Sequence, residues 1–166
     1  GVVYGVSCPD IVVEDLSLMN NMVGVFLIDS DGATVTNVTA EQNAYGVVIV
    51  QCENVSVDTS AAMENPMAGF MIQDSDGVQI TTSDAVMNQG PMEMGTGVSA
   101  LNCTNLSLQE MDASNNSFAG IDVEESSMVN INDVMADDNG AVGFILGGDT
   151  FAVTGCHIRR NLDAGI

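Results

Sequence analysis

Glycine and asparagine recur through this chain at a nearly constant interval, and the two sets of positions keep the same phase. The glycines are Gly1, Gly24, Gly46, Gly69, Gly97, Gly120, Gly143 and Gly165. The asparagines are Asn21, Asn43, Asn65, Asn88, Asn116, Asn139 and Asn161. Successive members are 22 or 23 residues apart, except for one step of 28 residues in each set, which contains the insert 89–95. The spacing predicts a repeat protein with one lengthened turn.

Each repeat contains three short segments in which apolar and polar residues alternate, as they do in strands with one buried face. The second segment is the most regular, with the apolar pairs Ile11/Val13, Ala33/Val35, Val55/Val57, Val78/Ile80, Leu106/Leu108, Val129/Ile131 and Phe151/Val153. Because about 22 residues are too few for three strands and a helix, each repeat is predicted to be one coil that stacks on the next at about 4.8 Å. The predicted fold is all-β, a right-handed single-stranded parallel β-helix of about seven coils, with residues 1–166 as one domain.

The repeated polar and small residues first receive structural interpretations. The asparagines are predicted to adopt the left-handed α conformation at one turn and to hydrogen-bond along the stack, while the glycines permit a tight corner. A further set, Cys8, Ser30, Cys52, Ser75, Cys103 and Ser126, precedes the second strand. Its cysteines are two coils, or about 9.6 Å, apart, which is too far for a disulfide. They are predicted to be buried free thiols, and Cys156 also lacks a partner.

The repeats Gly120–Asp133 (GIDVEESSMVNIND) and 143–146 (GFIL) resemble those of right-handed β-helix proteins of the pectate-lyase-like superfamily. The closest pattern is that of NosD-like periplasmic proteins and of many microbial surface proteins, and it covers the whole chain. The resemblance implies the fold and says little about activity. Because NosD-like proteins take part in copper-site assembly, it also implies copper delivery as an alternative, for which Met92 and Met94 in the insert are the nearest pair of thioethers.

Enzymes of that superfamily act on polysaccharides in a groove on the outside of the first sheet. At that position the resemblance places Asp122 and Glu124, which point outward from the first strand of their coil. The only bases are His157, Arg159 and Arg160, and they fall in the third strand of the last coil and the turn after it. A lyase, hydrolase or epimerase remains the enzymatic alternative, but the chain is expected not to be an enzyme.

The charge is strongly acidic, with 2 Lys and Arg against 23 Asp and Glu and a formal net charge of −21. Repulsion excludes binding to nucleic acid and to anionic membrane surfaces, and no apolar stretch is long enough to cross a bilayer. A chain without lysine suits the exported protein of a salt-adapted organism, and the charge suggests an archaeal source. The expected location is extracellular, at the cell surface.

Acidic residues are predicted to line one edge of the coils. They are Asp29, Asp31, Glu53, Asp74 and Asp76, of which Asp31, Glu53 and Asp76 are predicted to stack at intervals of about 5 Å. Like charges at that spacing require high ionic strength or divalent cations with oxygen ligands. Calcium is therefore a possible ligand of this edge, and no other cofactor is expected.

The outward positions of the first strand are apolar where an exposed sheet should be polar. They are Phe26, Ile28, Val48, Val50, Met71, Leu101 and Ile145. An apolar stripe requires a cover, and residues 164–166 start an eighth coil without a capping element, which favours stacking of ends. The leading hypothesis is a non-enzymatic structural module of a surface protein or filament. It would assemble with itself or with other segments of a longer chain, and carbohydrate binding is the alternative.

Overall fold

The computed structural model describes residues 1–92 and 94–163, and the chain folds into strands and turns. The strands are β1 (Val3–Val6), β2 (Val12–Met19), β3 (Val23–Ile28), β4 (Thr34–Glu41), β5 (Tyr45–Val50), β6 (Ser56–Asp58), β7 (Ala61–Met63), β8 (Ala68–Gln73), β9 (Gln79–Thr81), β10 (Thr96–Leu101), β11 (Ser107–Gln109), β12 (Ala119–Asn132) and β13 (Val142–Thr154). Within these residues there is no helix of the length and apolarity that a membrane crossing needs. Gly165 and the start of an eighth coil at 164–166 lie outside the described residues.

Parallel pairing between successive coils builds the molecule. The first sheet contains β1, β3, β5, β8, β10, β12 and β13, one strand per coil. The second contains β2, β4, β6, β9, β11 and the later parts of β12 and β13. The right-handed parallel β-helix of about seven coils is confirmed. The third strand is shorter than predicted, because β7 pairs with β4 but the later coils form only isolated bridges there.

Inward side chains stack in register to form the core. Val25, Val47 and Phe70 occupy successive first-sheet strands, and each is at most 1% exposed. On the second sheet, Val57, Ile80 and Leu108 are equally buried. The alternation read from the sequence therefore gives the correct register. A shift of one residue would have turned every one of these side chains outward.

Four residues in each coil adopt a positive φ and turn the chain. At the corner that follows the third strand they are Asn20, Gln42, Glu64, Met87, Asn115, Asp138 and Arg160. The prediction that the repeated asparagines themselves are left-handed is therefore wrong, because the left-handed residue is the one before each of them. The third strand lies between two such corners. In the fourth coil these are Thr82 and Met87, so that only residues 83–86 remain to pair with the adjacent coils.

The repeated asparagines form a continuous hydrogen-bonded ladder, as predicted. The backbone N–H of Asn43 donates to Oδ1 of Asn65 at 2.9 Å, and the same contact recurs from Asn21 to Asn161 at 2.9–3.0 Å. Each amide nitrogen beyond the first donates to a third-strand carbonyl of the previous coil, as Asn65 does to Ala40 at 3.0 Å. Asn139 is the exception, because its amide nitrogen has no partner among the described residues. The ladder satisfies backbone groups that the corner leaves unpaired.

The repeated glycines lie inside the first-sheet strands and not at a corner. A Cβ on Gly24 would lie 2.7 Å from the carbonyl oxygen of Gly46 and 2.9 Å from the Cβ of Ala40. Close approach between coils, and not a left-handed backbone, therefore requires glycine here. Because Val3 pairs with Val25, Val2 occupies the equivalent position in the first coil, and Gly1 is one residue out of register.

The cysteines are free thiols, as predicted. Cys52 donates to the carbonyl of Val50 at 3.2 Å and accepts the N–H of Ser30 at 3.3 Å, so that it substitutes for a serine in the same ladder. Cys52 and Cys103 are buried, as predicted, but Cys8 is partly exposed, so the prediction of burial is wrong for the first coil. Cys156 is also partly exposed. Burial raises the pKa of the Cys52 and Cys103 thiols, which keeps them protonated and inert.

Candidate functional site

The outer face of the first sheet carries a contiguous apolar surface in the first four coils. It consists of two lines of side chains in parallel register, Tyr4, Phe26, Val48 and Met71 in one and Val6, Ile28 and Val50 in the other. Val48 is only 4% exposed and forms the floor of this surface, while the other six are at least partly exposed. We refer to these seven residues as the apolar face. The rings of Tyr4 and Phe26 are 5.6 Å apart, and Tyr4 is 59% exposed. Phe26, Val48, Val50 and Met71 also line a shallow cavity of about 230 Å³ with Tyr45.

The structure brings together five of the seven residues that the sequence assigned to an interface. Phe26, Ile28, Val48, Val50 and Met71 are neighbours on the apolar face. Leu101 and Ile145 are separated from them, because Gln73, Ser99, Asp122 and Glu124 occupy the intervening outward positions. Sequence reasoning missed Tyr4 and Val6, although they alternate with inward residues in the same way as the pairs in later coils.

Asp122 lies at the end of the apolar face, in a cavity of about 240 Å³. The cavity is lined by Tyr45, Met67, Ala68, Met71, Met94, Thr96, Ser99 and Asp122. Oδ1 of Asp122 is buried and has no hydrogen-bond partner in the described part of the chain. Burial, and to a smaller extent the charge of Glu124, raises the pKa of Asp122 to about 6. An ionised carboxylate with a desolvated oxygen favours a positively charged ligand.

Three methionines line the same cavity, which sequence spacing did not reveal. Met94 is in the insert, Met67 is in the turn before β8 and Met71 is within β8. The insert is held beside this face by Ser117, which accepts the N–H of Gly90 at 2.8 Å and donates to the carbonyl of Met94 at 2.8 Å. Met92, the partner of Met94 in the sequence-based copper hypothesis, is 89% exposed and does not line the cavity.

The acidic edge has the predicted stack but does not converge on a point. Glu53 pairs with Asp76, and Oδ1 of Asp31 accepts the N–H of Glu53 at 2.8 Å. Oδ1 of Asp74 accepts a hydrogen bond from Asn102 at 2.7 Å, and Oδ1 of Asp76 accepts one from Asn105 at the same distance. Asp29 stands at an exposed left-handed corner. Within residues 1–92 and 94–163, no three acidic, histidine or cysteine side chains are grouped closely enough to hold a metal ion.

The chain's two arginines are on the last coil and are already engaged with carboxylates. Arg160 donates to both carboxylate oxygens of Asp138, at 2.8 and 2.7 Å, and these contacts lower the pKa of Asp138. Arg159 donates to Nδ1 of His157 at 2.8 Å and lies 3.6 Å from Asp137. His157 is in the third-strand segment of the last coil, where it forms an isolated parallel bridge with Met135. These bases are therefore on a different face from Asp122, as the sequence predicts.

Two solved structures share the fold. Pectate lyase Pel9A is 16% identical to this chain with a TM-score of 0.67, and the match covers 88% of this chain and 47% of the lyase. The enzymatically active domain of tailspike protein 2 from Bacteriophage CBA120 is 14% identical with a TM-score of 0.60, and the match covers 89% of this chain and 23% of the tailspike. The chain thus spans less than half of either protein, and at these identities the likeness shows the fold alone.

One family model matches almost the whole chain. It matches residues 2–166, and its description is "Periplasmic copper-binding protein (NosD)". No curated protein matches the chain. The match therefore extends over all seven coils. The chain belongs to the NosD family.

Proposed function

We propose that this chain is a non-catalytic binding module of an exported, cell-surface protein, in which a rigid β-helix presents the apolar face to another polypeptide. The observation that carries the proposal is that six at least partly exposed apolar side chains surround Val48 on the outside of a chain with a net charge of −21. Contiguous apolar surface on a soluble protein is typical of interaction sites. Rigidity comes from the backbone hydrogen bonds that each coil shares with its neighbours.

The chemistry of the apolar face favours a polypeptide over a polysaccharide. Sugars are bound through several hydrogen bonds, but Ile28, Val48 and Val50 offer none. A second copy of this chain is a less favourable occupant at low ionic strength, because two chains of net charge −21 repel each other. We therefore propose a different polypeptide segment as the partner. Self-association and carbohydrate binding are outcomes that the experiment below would detect.

Replacing two outward residues of the apolar face should remove its apolar character without unfolding the coils. Phe26→Ser combined with Val50→Ser is expected to abolish most of the fluorescence that the neutral dye Nile red shows with the native protein. Asn130→Ser with Asn132→Ser, on the outer face of the second sheet, is the matched control and should leave the dye signal unchanged. Equal dye binding by the two double variants would contradict the proposal.

Sedimentation of the native protein at low and high salt identifies the occupant. A monomer at both salt concentrations supports a heterotypic partner. A dimer or filament that the Phe26→Ser/Val50→Ser variant no longer forms would show that the occupant is a second copy, and would overturn the proposed partner. Cleavage of pectin or alginate by the native protein would overturn the non-catalytic part of the proposal.

Copper(I) binding is the second candidate, and the presence of three methionines in the lining of one cavity favours it. Cu(I) prefers sulfur ligands, and Met67, Met71 and Met94 line one cavity together with a carboxylate. These residues would hold the ion, which matches the description of the NosD family. The cysteines do not contribute, because Cys52 and Cys103 are two coils apart and buried.

Competition with the chelator bicinchoninate measures this candidate directly. The native protein should withdraw Cu(I) from the chelator, and the triple variant Met67→Leu/Met71→Leu/Met94→Leu should lose that ability. Leucine is close to methionine in volume, so that packing is retained. The control replaces Met22, Met128 and Met135, which are exposed and do not line the cavity, by leucine. The same Cu(I) affinity in both triple variants would eliminate the cavity as a copper site.

A further inference from the structure

We infer that the partner of the apolar face is an extended segment that places one lysine or arginine side chain on Asp122. The inference rests on the proposed function and specifies the chemistry of the partner. It begins from the outer line of the first sheet, which runs in register from Tyr4 through Phe26, Val48, Met71 and Ser99 to Asp122. The apolar face and the carboxylate are thus parts of one continuous strip.

Asp122 has no cationic partner within residues 1–92 and 94–163. Its Oδ1 is buried without a hydrogen-bond partner in the described residues. The sequence contains two arginines and no lysine, and both arginines contact carboxylates at the corner of the last coil. Glu124, two residues further along the same strand, adds negative charge next to Asp122. We therefore look for the cation of Asp122 outside residues 1–166.

The surroundings of Asp122 suit a long basic side chain better than a small hydrated ion. Tyr45, Met71 and Met94 line the cavity with apolar surface, while the carboxylate and Ser99 are polar. The aliphatic stem of lysine or arginine packs on apolar atoms while its charged end bonds to an acceptor. A charge-assisted hydrogen bond to Oδ1 would also satisfy the oxygen that the chain leaves unpaired. Sodium would leave the apolar part of the cavity exposed to water.

The register fixes the spacing that the partner needs. Val48 and Asp122 are three coils apart, which is about 14 Å at the usual separation of strands. An extended peptide advances about 3.3 Å per residue, with alternate side chains on one side. A segment that runs along the strip thus needs apolar side chains at two alternate positions, the first of them above Val48. Its basic residue should follow about four positions after that first apolar residue.

Selection from a random peptide library displayed on phage tests this chemistry without a known partner. The library is panned in parallel on the native protein, on Asp122→Asn and on Phe26→Ser/Val50→Ser, at about 0.15 M salt, where the Debye length is about 8 Å. Asparagine keeps the shape of the side chain and removes its charge. Far-UV circular dichroism and thermal melts establish that both variants are folded before panning.

Peptides selected on the native protein are expected to share alternating apolar residues followed by lysine or arginine at the stated spacing. On Asp122→Asn the apolar pattern should persist and the basic residue should lose its preference. A selected peptide with norleucine in place of its basic residue should bind the native protein about tenfold more weakly or worse. On Asp122→Asn, the norleucine peptide and the basic peptide should bind with the same affinity. Fluorescence anisotropy measures the affinities of both peptides for both proteins.

Other outcomes separate the inference from the proposed function. Apolar peptides without a basic residue would overturn the inference and leave the proposed function intact. If the native protein and Phe26→Ser/Val50→Ser select the same peptides, or neither selects a common pattern, the proposed function fails as well. Basic peptides enriched equally on all three proteins would indicate general attraction to a chain of net charge −21, which also overturns the inference.

Discussion

Ile131→Asp is expected to abolish cooperative folding of the coils around it. Ile131 is fully buried in β12, where it stacks between Leu108 of β11 and Val153 of β13. Loss of the isoleucine side chain costs about 2–5 kcal/mol, and an unpaired carboxylate in its place adds several kcal/mol. The sum approaches the whole stability of a typical domain, about 5–15 kcal/mol. Urea denaturation followed by circular dichroism should show no native baseline, or a greatly reduced midpoint.

The matched control places the same charge one residue away. Asn130→Asp adds a carboxylate on the exposed side of the same strand, opposite Ser107 and Ala152. The cost there should stay within about 0.5 kcal/mol, as for most surface substitutions. If Asn130→Asp were the more damaging of the two, the strand would face the other way, and the register of the second sheet would be wrong by one residue.

The register of the coils could be predicted from the sequence because two independent signals agree. The alternation of apolar residues identifies the inward face, and the asparagine spacing identifies the corner. What the spacing could not give is the backbone conformation at that corner. Asparagine readily adopts the left-handed region, yet Gln42 adopts it and Asn43 does not. Asn43 turns its amide into the wall, where Oδ1 and Nδ2 both contact the preceding coil, at Asn21 and Leu18.

The candidate site could be predicted only in part, for a related reason. The apolar face follows from local alternation, and five of its seven members were identified in this way. The Asp122 cavity joins Tyr45, Met94 and Asp122, which are far apart in the sequence. Its shape depends on the insert 89–95, which has no counterpart in other repeats and therefore no periodicity to read. The hydrogen bonds of Ser117 with Gly90 and Met94 hold these two residues of the insert beside the cavity.

Asn88→Ala should cost about 4 kcal/mol of unfolding free energy, because it leaves two buried backbone groups unpaired at about 1–3 kcal/mol each and removes packed atoms. Oδ1 of Asn88 accepts the N–H of Asn65 at 2.9 Å, and its Nδ2 donates to the carbonyl of Ala62 at 3.2 Å. Asn88 itself is 0% exposed. Equilibrium denaturation in urea measures the loss. Asn130→Ala, the same substitution at an exposed position, should change stability by no more than about 0.5 kcal/mol.

The size of the loss of unfolding free energy shows whether the asparagine ladder holds adjacent coils together. A water molecule in the vacated space could limit the damage only by bonding to Asn65 and Ala62 together. The space is confined, because a Cβ on Gly69 would already lie 2.9 Å from Nδ2 of Asn88. A loss below about 1 kcal/mol would therefore mean that water replaces the amide, and that the ladder does not hold adjacent coils together. A loss of the expected size would mean that the wall depends on an amide at each repeat, since the same contacts recur at Asn43, Asn65 and Asn116.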